Sequence, residues 1–434
     1  MDEDTAYQLG LAFANLIQEE KGQEKVQIVV GRDMRLSGPQ LKEQLIAGLT
    51  DAGADVIDID LASTPTFYFA VAYHGYDGGI EISASHNPGE YNGFKMVRSN
   101  AVPVSGDSGI MTLRDTVINR TGRHSAQKGQ VRQQGGLTQE VVAVEKQDID
   151  TSQIKPFKIV IDAANAMGIL DMEEIFKGLP CEIIKMNWEL DGSFPAHEAD
   201  PLKEENLKML QDKVVEVGAD FGIAPDGDCD RVFFVDDKGR TFSQALLRGL
   251  MAQIAIKEHP QATICYDIRP GKITRDLIDE AGGQASITKV GHSLIKEQML
   301  REQAVFGGES SGHYFYRFDF GTFEAPTVLV LKFLTYLSMQ NRPMSAIADQ
   351  YDRYKHSGEI NSKVADKDGK IQELAARYSD AEISYLDGIT VTYPDWWFNV
   401  RGSNTEPALR LNLEAIDQAT MEQKRDEVLS IIRS

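Results

Sequence analysis

The sequence predicts an α/β protein: three repeated strand–helix–strand units, then a smaller α+β segment. Three observations predict it. First, β-branched apolar runs ending near an aspartate occur three times, as QIVVGRD (27–33), KIVIDAA (158–164) and ATICYDI (262–268). Second, each run precedes a loop, a helical pattern and another strand-like run. Third, from about residue 356 the pattern becomes short strands closed by one helix.

After the first run, Leu41, Leu45, Ile46 and Leu49 fall on one face of an amphipathic helix. The strand ADVIDIDLA (54–62) follows. GILDMEEIFKGL (168–179) and CEIIKMNWE (181–189) are the helix and strand of the second unit. GKITRDLIDEAGG (271–283) and QASITKVGH (284–292) complete the third. Such units pair their strands in parallel, and ligands bind at the carboxyl ends of the strands. The stretch 120–150, which includes RTGRHSAQKGQVRQQGGLTQ, is polar and rich in Gly and Gln and predicts a surface excursion or linker. In the last segment EINSKVAD, ITVTYPDWWFNVRGS and ALRLNLEA read as strands, and MEQKRDEVLSIIR as a helix. The expected domains are 1–153, 154–242, 243–355 and 356–434.

Bulk properties narrow the function. A chain of 434 residues predicts two to four domains. The formal net charge of −21 excludes a global basic field, so broad binding to nucleic acid is not expected. Three cysteines, Cys181, Cys229 and Cys265, have no CxxC spacing and fit a reducing compartment. No run of 18 apolar residues suggests a membrane span. The N-terminus, MDEDTAYQLG, has no apolar signal core, so the expected location is the cytoplasm.

Four loops carry chemistry. ISASHNPGEYNGFK (82–95) places Ser85 and His86 on a turn-rich tip. A serine nucleophile needs a base or charge nearby, and His86 and Lys95 are the local candidates; an ordinary polar turn is the alternative. The string is not a GxSxG elbow, which disfavours a hydrolase triad. APDGDCDRVFFV (224–235) sets Asp226, Asp228 and Asp230 at alternate positions, where they repel one another unless a cation intervenes. Oxygen ligands suit Mg²⁺ or Ca²⁺. An EF-hand is excluded, because Arg231 and Asp237 stand where it needs Gly and Glu. GGESSGHYFY (307–316) offers Glu309 and Ser311 for sugar hydroxyls and His313 for proton exchange. His292 lies in a second loop, KVGHSLIKEQM (289–299). NVRGSNTEPALRL (399–411) places Arg401, Ser403, Asn404 and Thr405 in a turn between strands, an anion cradle for a phosphate that does not react.

Together, in this order, these loops make the chain resemble the α-D-phosphohexomutase family, closest to its phosphomannomutase/phosphoglucomutase branch. The resemblance runs from GRDMRLSG (31–38) to RGSNTEP (401–407). It implies three related mixed-sheet α/β domains and a small C-terminal domain around one central cleft. It implies that Ser85 carries a phosphoryl group, and that Asp226, Asp228 and Asp230 hold Mg²⁺ with a phosphoserine oxygen. Glu309 and Ser311 would read sugar hydroxyls. Arg401, Ser403, Asn404 and Thr405 would dock the distal phosphate. His313, Lys95 and His292 would move protons or touch phosphate, and Arg231 and Arg269 match basic positions near phosphate and sugar. The implied reaction interconverts hexose 1-phosphate and hexose 6-phosphate, of mannose or glucose, through a hexose 1,6-bisphosphate. The SNT at 403–405 favours those sugars over N-acetylglucosamine, whose branch tends to carry SGT. Family members usually begin with a YDIRG-like segment before the first helix. This chain starts within that helix, so an arginine and a strand near the site are expected to be missing. The expected partner is a small hexose phosphate, with neither nucleic acid nor membrane, for a monomer or dimer. A metal-dependent sugar phosphatase and an inactive sugar-phosphate-binding homologue are the alternatives.

Overall fold

The computed structural model describes residues 2–269, 271–402 and 407–434. Two compact units divide the chain: residues 1–242 with 311–345, and residues 243–310 with 346–434.

The first sheet of the first unit holds β1 (Gln27–Arg32), β2 (Asp55–Leu61), β3 (Gly78–Ile82), β4 (Phe94–Arg98) and β5 (Val131–Gln133). Its order is β4-β3-β1-β2-β5, with β1, β2, β3 and β5 parallel and β4 antiparallel on β3. Ile28, Val29 and Val30 are fully buried, as expected of a central parallel strand covered on both faces. The second sheet holds β6 (Lys158–Asp162), β7 (Glu182–Met186), β8 (Phe221–Pro225) and β9 (Val232–Asp236), in the order β7-β6-β8-β9. Here too the fourth strand runs antiparallel to the third.

In the second unit β10 (Thr263–Asp267), β11 (Gln284–Thr288) and β12 (Phe306–Gly308) pair in parallel, with β10 central. The chain then enters the first unit through an antiparallel hairpin, β13 (Tyr314–Phe318) and β14 (Gly321–Glu324). The three expected strand–helix–strand units therefore all form. In each, the first strand lies between the second and the third.

From residue 355 the second unit adds an antiparallel sheet: β15 (Lys355–His356), β16 (Ile360–Lys363), β17 (Glu382–Ser384), β18 (Ile389–Thr392), β19 (Trp396–Gly402) and β20 (Ala408–Ala415). Alternate residues Phe398 and Val400, then Leu409, Leu411 and Leu413, are fully buried. Val428 and Ile432 of the helix Gln418–Ile432 join that core.

One expectation needs correction. The stretch 120–150, read as an excursion or linker, contains β5 and the helix Leu137–Lys146. All three residues of β5 are exposed, so no alternation marks it as a strand. The helix buries Leu137, Val141, Val142 and Glu145, a helical stripe interrupted by a charge.

Candidate functional site

β3 ends at Ile82, and its fully buried residues fix the origin of the loop that follows. The Ser85 N–H donates to Ser83 Oγ at 3.0 Å, and Ser85 adopts a left-handed backbone, φ 51°. A non-glycine residue takes that region only where its surroundings hold it. Ser85 Oγ donates to Asp226 Oδ2 at 3.0 Å, and His86 Nδ1 lies 3.3 Å from Ser85 Oγ. Burial, helped by the Arg231 charge, lowers the His86 pKa and favours the neutral ring.

Asp226, Asp228 and Asp230 lie on the tight connection between β8 and β9 and are 0, 0 and 5% exposed. One carboxylate oxygen from each lies within 4.8 Å of the others. Gly227 allows this packing: a Cβ there would sit 2.2 Å from the Ser85 carbonyl oxygen. Two cations offset the charge. Arg231 Nε donates to Asp226 Oδ2 at 2.8 Å, and Lys95 Nζ bonds Asp228 Oδ2 and, at 2.6 Å, Asp230 Oδ2. Burial pushes the Asp226 carboxyl up to about 7. Burial also works against ionised Asp230, but Lys95 and His313 overcome it and hold that carboxyl well below the usual range. Lys95 keeps its proton for the same reason: burial disfavours the charge, and Asp228 and Asp230 more than restore it.

Thr64 Oγ1 lies 2.6 Å from both Glu81 Oε2 and Asp228 Oδ2. One hydroxyl has one proton to give, so one of these carboxyls carries its own. Burial drives the Glu81 carboxyl well above its ordinary value, which makes Glu81 the neutral acid. It donates to Thr64, and Thr64 donates to Asp228.

The acidic loop fits a divalent cation that prefers oxygen ligands. Its three carboxylates converge, and Asp228 Oδ1 is buried without a hydrogen bond. Arg231 Nη2 is likewise buried without a hydrogen bond, a donor suited to a phosphoryl oxygen.

His313 enters the same neighbourhood. Its Nε2 is 3.2 Å from Asp230 Oδ1, and its Nδ1 is 3.1 Å from Ser311 Oγ. The carboxylate beside Nε2 places the ring proton there, leaving Nδ1 to accept from Ser311. Ser85, His86, Lys95, Arg231, Ser311, His313 and the three aspartates thus all belong to the first unit.

The second unit gathers the others. Arg269 Nε donates to Asp267 Oδ2, and Arg269 Nη2 is 3.8 Å from Glu309 Oε1. Glu309 Oε1 accepts from the Gly291 N–H at 3.0 Å, beside His292 at the start of the helix His292–Glu302. Arg401 lies within β19 opposite Arg410, in the strand and not in the turn expected for it. Its Nη2 donates to Glu359 Oε2 at 2.8 Å. Ser403, Asn404 and Thr405 lie outside the described residues. Sequence reasoning missed Thr64, Glu81, Glu359 and the buried Arg248, which donates to Asp267 Oδ1 at 2.9 Å. Each lies outside the four loops, so only the folded contacts reveal it.

Four domain families match in series: phosphoglucomutase/phosphomannomutase alpha/beta/alpha domain I over residues 1–118, domain II over 138–239, domain III over 245–354 and the C-terminal domain over 359–431. A phosphomannomutase of Escherichia coli is 38% identical, with 100% of this chain and 96% of that protein covered. A protein named phosphohexose mutases from Xanthomonas campestris pv. campestris (strain B100) is 37% identical, with 100% and 96% covered. The crystal structure of a phosphoglucomutase/phosphomannomutase family protein from Burkholderia thailandensis matches with a TM-score of 0.89 and 32% identity, covering 99% of this chain and 93% of that one. No helix among the described residues is long and apolar enough to cross a membrane.

Proposed function

Because the chain belongs to the phosphoglucomutase/phosphomannomutase family, it is a mutase, and we propose that it moves a phosphoryl group between O1 and O6 of a hexose through Ser85. The observation that carries this reading is the 3.0 Å hydrogen bond from Ser85 Oγ to Asp226 in the acidic loop. In the forward half-reaction the P–Oγ bond of phosphorylated Ser85 breaks. A P–O bond forms to the free sugar hydroxyl, and the hydroxyl proton passes to a base. The resulting 1,6-bisphosphate turns around and returns its other phosphoryl group to Ser85.

Asp226, Asp228, Asp230 and an oxygen on Ser85 would hold Mg²⁺. When bound, the ion draws negative charge from the transferring group. The protein's own residues do the rest by position and charge. Neutral His86 takes the Ser85 proton when the hydroxyl attacks the bisphosphate. Lys95 stays protonated and supplies a fixed positive charge. His313, oriented by Ser311 and Asp230, exchanges a proton with the sugar hydroxyl, and His292 meets phosphate. Arg231 meets the phosphoryl oxygens. Glu309, Ser311 and Arg269 read the sugar, and Arg401 with Ser403, Asn404 and Thr405 docks the distal phosphate. These roles follow the four assigned segments, 1–153, 154–242, 243–355 and 356–434. Two of the relatives above carry phosphomannomutase in their names, which supports mannose phosphate as a substrate beside glucose phosphate.

The test is a mutase assay on mannose 1-phosphate and glucose 1-phosphate with Mg²⁺ and a hexose 1,6-bisphosphate. Appearance of hexose 6-phosphate without inorganic phosphate is expected. Release of inorganic phosphate in its place would establish the phosphatase reading.

A further inference from the structure

Arg35 is fully buried between the end of β1 and the Ser85 loop, and its guanidinium uses every N–H it has. Nε donates to Asp33 Oδ2 at 3.0 Å. Nη1 donates to the carbonyls of Pro88 at 2.7 Å and Tyr91 at 3.0 Å. Nη2 donates to the carbonyls of Ser85 at 2.7 Å and Asn87 at 2.6 Å. A guanidinium has five donors in a rigid planar fork, so none is left for a ligand. The Phe194 ring covers the fork, 5.1 Å from the guanidinium carbon. Backbone packing fixes the arginine from behind: a Cβ on Gly192 would lie 2.6 Å from Arg35 Cα.

We propose that Arg35 is a positioning residue for phosphoryl transfer, acting on the Ser85 loop as a template and not on the substrate. Four carbonyls spread over residues 85–91 converge on one planar group. That convergence sets the curvature of the loop and holds Ser85 in its left-handed conformation. Asp33, itself fully buried, balances the charge and also accepts from the Arg35 N–H at 2.9 Å. Lysine cannot replace the fork, because an ammonium has three donors and no plane. The catalytic significance rests on the reading of Ser85 as the phosphoryl carrier. The template role rests on geometry alone.

Two measurements on Arg35→Lys decide it. The first is the kinetic split. A misplaced nucleophile loses turnover while substrate affinity survives, so kcat should fall about 100-fold with KM within about twofold of wild type. The second is hydrogen exchange of the backbone amides in 84–91, expected to quicken about tenfold or more while amides of β6 and β8 stay unchanged. Unchanged exchange in 84–91, or kcat within about twofold of wild type, would overturn the proposal. Should Arg35→Lys not fold, Phe194→Ala leaves the arginine in place and carries the test. Lower kcat at constant KM supports the template, and unchanged kcat removes it. If the wild-type protein shows no mutase turnover, the functional reading fails, and the exchange measurement still decides what Arg35 does.

Discussion

Ser85 Oγ and Asp226 Oδ2, 141 residues apart in the chain, are joined by a 3.0 Å hydrogen bond. The bond ties the candidate nucleophile of one sheet to the acidic loop of the next. Ser85→Ala should reduce mutase turnover by on the order of 10³-fold or more. Alanine takes the left-handed backbone about as badly as serine, so stability should fall by only about 1 kcal/mol, the worth of a hydrogen bond. Steady-state kinetics with a thermal melt check both halves, and near-normal turnover would end the role of Ser85.

Lys95 balances two of the three buried aspartates. Lys95→Met should cost about 3–5 kcal/mol in chelated buffer, because it strands buried charge. Added Mg²⁺ should recover part of the loss, since a ligand that binds only the native state stabilises it. Melts with and without the ion read this directly. An equal Tm for both proteins in chelator would show that Lys95 is not the counter-charge.

Glu145 and Asp171 make stability depend on pH. Burial raises their carboxyls to about 8 and about 7, from ordinary values of 4.5 and 3.8. Between those limits the native state binds more protons than the unfolded chain, so their contribution is full at low pH and is lost as pH rises. Glu145→Gln removes one such group. The variant should melt about 3 °C or more above wild type near pH 8, with the gap closing toward about pH 5. A gap independent of pH would mean that Glu145 is not held neutral.

Arg401→Ala should raise KM for the sugar phosphate by about tenfold or more and leave kcat largely intact, the signature of lost uniform binding. The fold should survive, because Glu359 keeps Arg410 Nη1 at 3.4 Å as a partner. An unchanged KM would detach Arg401 from phosphate docking.

Much of this was legible in the sequence, and the rest was hidden for physical reasons. The three βαβ units were visible because buried parallel strands are continuous β-branched runs, as in Ile28–Val30. The acidic loop was visible because alternate aspartates demand a counter-charge. Lys95 was suggested as a neighbour of Ser85 and as a group for protons or phosphate, yet its ammonium reaches the aspartates 133 and 135 residues away. No local pattern encodes such a contact. Glu81 and Glu145 were unreadable as buried acids, because a carboxyl in a strand or helix looks solvent-facing until its neighbours are known. Arg401 was expected in the turn, yet pairing with Arg410 of β20 carries β19 through Gly402.

The three parallel units place their work at matching addresses. Ser85 follows the third strand of the first, Asp226 that of the second and Glu309 that of the third. The first two of these loops are wired together by Ser85–Asp226 and by Lys95 with Asp228 and Asp230, so recasting either one should unsettle the other.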